Sequence, residues 1–404
     1  MRTAAELRST ILLRPLLLLA RRGSSLAPTH ARTRAPAAAT MATTSTKTAA
    51  RAVRRRATHA GSWYLSDRAE LDAQLTAFLG NVPGVLAEHG PLPVPDARII
   101  IAPHAGYSYS GPTAAWAYKS WDVSQIDRVF LLGPSHHIYL NNCALSECTE
   151  YATPLGNIPL DLQTIADLSD SGKFTRMSRA TDEDEHSLEM HLPYIYKMLS
   201  ESPRGIRPLV PIMVGALSAQ GERDFGQLLS PYLADPRNAF VISSDFCHWG
   251  LRFSYTNYVD DAACEHVHTL RRSGDVRNHV MPIYKSIEIM DYKAMDTATE
   301  GSHAAWSSYL SHTKNTICGR HPIGVVLAGT EYLRTSAGVE LTDVQRRPVP
   351  GTRSAEVVAR EQLSGEDALK YSFGKIFWVQ YKQSSHCERL EDSSVSYASG
   401  FARA

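Results

Sequence analysis

Short apolar runs, each ended by a small or turn-forming residue, set the texture of this chain. Residues 98–103, RIIIAP, place three isoleucines in a row before Ala-Pro. A run this short, apolar throughout and β-branched, predicts a strand buried on both faces. Residues 128–133 (RVFLLG), 206–214 and 239–243 repeat the pattern, and further strands are predicted at 339–342 and 376–381. Between them the apolar positions change to helical spacing. Leu71, Leu75, Phe78 and Leu79 share one face over 70–79, and helices are likewise predicted at 113–119, 162–168, 187–199 and 223–233, and after HPIG. Strands alternating with helices predict an α/β fold with a largely parallel central sheet and helices on both faces.

The ends of those strands carry the chemistry. The first runs into His104, the second into PSHH with His136 and His137, and the fourth into SSDFCHWG with Asp245 and His248. NTICGRHP brings Cys318 and His321 just ahead of a predicted helix. In an open α/β sheet the C-terminal strand ends share the edge where ligands bind. Imidazole and thiolate are ligands for zinc, iron and copper, and two or three of them from different strand ends can hold one ion with positions left open. Asp245 can ligate, or orient a histidine from behind. His248 is alternatively a general base, and Cys318 alternatively a nucleophile at a helix N-terminus. The cluster EHSLEMH lacks H-E-x-x-H spacing. Its His186 and Glu189 lie three apart on one face, which suits pocket lining as well as capping and packing. Trp63 and Tyr64 read as core or as a ligand platform. Ser135, Ser243 and Ser244 have no G-x-S-x-G elbow around them, and no G-x-G-x-x-G or phosphate loop is present.

Composition narrows the partners. The chain has 404 residues, 43% of them hydrophobic, enough for a sizeable core. Its net charge of +1 hides an asymmetry: residues 1–57 hold 12 Arg and Lys and one acid, leaving 30 basic and 40 acidic residues beyond, a net of −10. An acidic body argues against a nucleic-acid partner. The basic leader has the make-up of a mitochondrial transit peptide or of a disordered tail. Its apolar piece at 11–20 is broken by Arg14 and Pro15 and too short to span a bilayer. The six cysteines form no C-x-x-C pair, which fits a reducing compartment.

In order along residues 58–404, HAGSWY, IIAPHAGYSYSG, LLGPSHH, TDEDEHSLEMHLPY, VPIMVGAL, SSDFCHWG, NTICGRHPIG and DSSVSYASG resemble the Memo family, named as mediators of receptor-driven cell motility. The resemblance implies one domain over 58–404 with a fold like that of class III extradiol dioxygenases. It implies one iron or copper ion held by His104, His136 and Cys318, with Cys318 where the dioxygenases have a carboxylate. It makes His248 the base and has Trp63, Asp245 and His248 line the pocket; the residues themselves add Asp245 as an orienting group and His186 and Glu189 as further pocket lining. The function implied is redox-linked signalling. The alternatives are an active metal-dependent oxidoreductase or dioxygenase acting on a small-molecule substrate, and a metal-independent adaptor for a phosphotyrosine peptide. A cytoplasmic location is expected, or a mitochondrial one if the leader is genuine. The leader and the polar stretches near 264–280 and 344–374 depart from the family pattern. The two internal stretches are expected to lie outside the core.

Overall fold

The apolar runs at 98–103, 128–133, 206–214 and 239–243 each form a strand in the computed structural model, which describes residues 52–276, 280–336 and 373–404. Nine strands make the central sheet: β1 (Ala97–Ala102), β2 (Arg128–Pro134), β3 (Cys143–Ser146), β4 (Phe174–Met177), β5 (Leu209–Val214), β6 (Asn238–Ser243), β7 (His248–Trp249), β8 (Ile376–Gln383) and β9 (Ser394–Arg403). β1, β6, β2 and β5 lie side by side and parallel, with Ile100 against Val241, Val241 against Leu131, and Leu131 against Pro211. All residues of β1, β5 and β6 are buried. Burial on both faces is what an unbroken apolar run requires.

The sheet has the parallel centre that the apolar runs predict, and antiparallel strands extend it on both sides. β3 joins β5 antiparallel, with β4 parallel beyond it. β9 adds antiparallel to β1, and β7 and β8 both pair antiparallel with β9. β9, SVSYASGFAR, mixes small and polar residues with few apolar ones, so its sequence lacks the branched run that marks the parallel strands.

Helices pack around the sheet. They are α1 (Arg68–Gly80), α2 (Tyr107–Ser120), α3 (Leu162–Asp170), α4 (Arg179–Asp184), α5 (His186–Glu189), α6 (Leu192–Glu201), α7 (Ala219–Ala234), α8 (Ile283–Glu300), α9 (His303–Thr313) and α10 (Arg320–Ser336), beside a four-residue turn of helix at Ser273–Val276. α7 and α10 approach to backbone contact. A Cβ on Gly226 would stand 2.7 Å from the Gly329 nitrogen, so no larger residue fits. The helix expected over 187–199 is two helices, α5 and α6, divided at Met190 and His191. Pro193 sits in the first turn of α6, where its missing N–H costs nothing.

Folded structure also begins ahead of Thr58. Arg54–Arg55 pair in parallel with Glu150–Tyr151, and Arg55 is fully buried. Near 264–280, Cys264 and Leu270 sit in a second buried cluster with Trp249, Tyr258 and Ile287, so that part of the stretch is core rather than an outlying insertion. The strand predicted at 339–342, residues 1–51 and most of 344–374 lie outside the described residues. Among the described residues, no helix is long and apolar enough to cross a membrane.

Arg55 is the costliest group in this interior. Its Nη1 donates to Glu189 at 2.6 Å and its Nε to Asp182 at 2.9 Å, and its remaining N–H groups reach the carbonyls of Arg56, Asp182 and Glu185. Burial opposes its charge, but Glu189 and Asp182 more than reverse this and hold its pKa above the usual value. Truncating one member of a buried ion group strands the others. Arg55→Ala is therefore expected to lower the unfolding free energy by about 3–5 kcal/mol in urea titrations, with a much smaller loss when Asp182→Asn and Glu189→Gln accompany Arg55→Met.

Candidate metal centre

The edge where β1, β2 and β6 end gathers the site. β1 stops at Ala102, two residues before His104; β2 stops at Pro134, two before His136; β6 stops at Ser243, two before Asp245. α5 opens with His186 on the same edge. The nitrogens of His104, His136 and His186 come within 4.8 Å of one another, and the His136 and His186 rings stack at 4.3 Å between centroids. Cys318 Sγ stands 3.1 Å from His104 Nε2. The loop that carries it is pressed onto β6: any Cβ at Gly319 would collide with Ser244.

Hydrogen bonding assigns the tautomers. Ser243 Oγ donates to the Ser187 carbonyl at 2.8 Å, so toward His104 Nδ1, 2.6 Å away, it must accept. His104 thus carries its proton on Nδ1 and turns a lone pair on Nε2 toward Cys318. His136 donates both its backbone N–H and Nδ1 to Glu185, at 2.6 and 2.9 Å. Glu185 can only accept there: burial works against its charge, but the hydrogen bonds from His136 outweigh it and hold its pKa at about 2. His186 Nδ1 lies 3.6 Å from the same carboxylate, beyond hydrogen-bond reach but on the same side. Each ring has Nδ1 on the protein side, the arrangement that orients metal-binding histidines.

Charge is scarce in this site. Burial and the neighbouring imidazoles push His104 well below its ordinary pKa, and burial takes His186 to about 3. Both rings are neutral at pH 7, with lone pairs available. Burial, then the Asp245 carboxylate, raises the Cys318 thiol well above its usual value, so it keeps its proton unless a cation takes that place.

The remaining sequence candidates fall in different places. Asp245 Oδ1 accepts the backbone N–H of His104 at 2.8 Å and of Ala105 at 3.3 Å, and the Asp245 N–H points to Cys318 Sγ at 3.3 Å. It shapes the backbone around the cluster and bonds to no ring; burial lifts its pKa to about 7. His248 Nδ1 donates to the Phe246 and Thr316 carbonyls, which leaves Nε2 with its lone pair. Trp63 is 37% exposed and lies over His186 at 4.5 Å, a wall of the site. Beside it opens a cavity of about 520 Å³ lined by Trp63, Ala105, Gly106, Tyr109, Arg252 and Tyr397. Glu189 is buried underneath instead, taken up by Arg55, His59 and Tyr64, and its pKa falls to about 2 because these donors outweigh burial. His321 is drawn away to Glu222.

The family model for Memo, "Memo-like protein", matches residues 55–360. Protein MEMO1 of Danio rerio is 44% identical over 350 residues, 87% of this chain and 97% of that protein. Protein MEMO1 of Homo sapiens is 42% identical over the same share. Protein memo-1 homolog of Caenorhabditis elegans is 38% identical over 346 residues, 86% of this chain and 81% of that one. The chain belongs to the Memo family.

In this Memo protein the sequence reading missed two supports and underrated one ring. Glu185 and Ser243 hold the histidines, yet Glu185 reads as one acid among several in TDEDEH and Ser243 as the polar end of a strand. The signal for His186 was its place directly after Glu185, which anchors His136 across the edge. His191, the other histidine of that motif, is buried against the Tyr118 hydroxyl, and burial takes its pKa to about 3. Below pH 6.5 the unfolded chain gains a proton at this residue that the folded chain refuses until about 3. Stability of metal-free protein should therefore fall as pH drops from 6.5, by up to about 1.4 kcal/mol per pH unit for each such histidine. Urea midpoints between pH 7 and 5 should show a shallower decline for His191→Gln than for the wild type.

Proposed function

We propose that this Memo protein holds one iron or copper ion at His104, His136 and Cys318, with His186 as a further nitrogen donor, and that it serves redox-linked signalling. The observation that carries the reading is the convergence of imidazoles whose Nδ1 sides face the protein on a thiol 3.1 Å from His104 Nε2. Nitrogen and sulfur donors together suit iron and copper, and the soft thiolate favours copper(I). Bound there, the ion supplies one-electron redox chemistry.

The chain's own residues prepare the place. Ser243 and Glu185 keep the rings of His104 and His136 from turning, so little side-chain freedom remains to be lost. Cys318 must give up its proton to ligate, and burial opposes this, so uptake releases a proton and strengthens as pH rises. Asp245 fixes the backbone of His104 and Ala105.

His248 favours the related reading of a metal-dependent oxidoreductase. Its Nδ1 is committed to two carbonyls and burial lowers its pKa, which leaves a neutral ring with Nε2 free to accept a substrate proton. The cavity beside Trp63 is large enough for a small-molecule substrate.

Elemental analysis of protein expressed with both metals supplied tests the assignment. One equivalent of iron or copper is expected in the wild type, with loss in His104→Ala and Cys318→Ala. Glu185→Gln should weaken binding about 10–100-fold by freeing the His136 ring. Metal-free wild type would overturn the reading and leave the peptide adaptor in its place. His248→Gln should keep the metal, and it should abolish oxygen uptake if the protein is an oxidoreductase.

A further inference from the structure

A second cavity, of about 460 Å³, opens behind the Cys318 loop where α7, α9 and the start of α10 meet. Lys314, Arg320, His321, Ser307 and Ser311 line it, and Glu222 forms part of its wall. Among the described residues neither Lys314 nor Arg320 has a carboxylate partner; Arg320 spends one N–H on the Ile317 carbonyl at 3.3 Å. Glu222, the one acid in the lining, is 4% exposed and already engaged on both oxygens. His303 Nε2 meets Oε2 at 2.6 Å and His321 Nδ1 meets Oε1 at 2.6 Å. These histidines sit on opposite oxygens, so the trio is a hydrogen-bonded bridge; among the described residues the nitrogens that converge as metal ligands do are those of His104, His136 and His186. The bridge fixes the His321 ring and leaves Nε2 as the atom that meets an occupant.

We propose that this cavity binds a phosphate group carried on a small organic monoester. The charges favour an anion: Lys314 and Arg320, neither with a carboxylate partner among the described residues, share the lining with one acid whose oxygens are both taken by histidines. Arginine's planar fork and lysine's point charge together match a phosphate oxyanion. The hydroxyls of Ser307 and Ser311 supply neutral donors. The first turn of α10, a helix of 17 residues, adds the positive end of its dipole at Arg320 and His321. The cavity is larger than a bare phosphate fills, and Leu217, Ala219 and Leu310 give it an apolar side for the rest of the molecule. Thr316 lines this cavity and also bonds the backbone N–H and carbonyl of His248 through its hydroxyl, so the occupant lies one residue away from the metal centre's candidate base.

Titration calorimetry on the full chain, with glycerol phosphate and inorganic phosphate as separate probes, tests this. Saturable binding of glycerol phosphate is expected, tighter than that of inorganic phosphate. Arg320→Gln and Lys314→Gln should each weaken it about tenfold. Lys314 is exposed, so its variant has no fold to disrupt. Equal affinity for the two probes would overturn the monoester and leave the bare ion. No saturable binding, or affinity unchanged in both variants, would overturn the site.

Discussion

A guanidinium sealed from water has to be answered in full, and Arg55 dictates much of what surrounds it. Apart from the Arg56 carbonyl, its partners come from Asp182 to Glu189, the same eight-residue span that contains Glu185 and His186. Asp182 is held in turn by Ser146 on β3 and by Tyr151, and Glu189 by His59 and Tyr64. One buried cation thus joins the Arg54–Arg55 strand, the sheet edge and the helix that presents His186. Trp63, which walls the site, follows directly from the stretch that Glu189 captures. Such a group adds little net stability over an apolar one of the same shape, but it tolerates no alternative pairing. Its value here is in placing the chain.

The candidate metal centre follows a different rule. Burial keeps the His104 and His186 rings and the Cys318 thiol uncharged at neutral pH, with the Glu185 carboxylate at their back and Asp245 lifted by burial to about 7. Neutral imidazoles and a protonated thiol can be crowded together in a dry pocket, whereas imidazolium ions cannot. The rings are oriented from behind, by an acid and a hydroxyl, and their nitrogens converge beside the Cys318 thiol.

Much of this was legible along the chain because parallel strands are written as apolar runs. β1, β2 and β6 announced themselves, and the residues just past them were the right ones to suspect: His104, His136 and Asp245. His248 and Cys318 could be added from motif alone. What could not be read was contact between distant segments. Arg55 belongs by composition to the basic leader, and only burial against Asp182 and Glu189 sets it apart. Glu189 shares a helix face with His186 on a three-residue count, yet the break at Met190 and the pull of Arg55 turn it under the site. β8 was legible at 376–381, whereas β9 was not, because its buried positions are small and polar rather than branched.

β9 gives the fold an order in time. It is the direct neighbour of β1, and Arg98 on β1 reaches the carbonyl of Ala404, 306 positions along the chain. The strand that delivers His104 therefore has β6 on one side and waits for its other neighbour until the last described segment is made. During synthesis that open edge is a row of unpaired backbone groups beside three isoleucines. It invites pairing with another chain until β9 arrives. Contacts of this span also slow folding, because the loop must close before they reward it. A growing Memo chain thus exposes the strand that delivers His104 for most of its synthesis, and holding that edge unpaired becomes a task for the cell's chaperones rather than for the sequence itself.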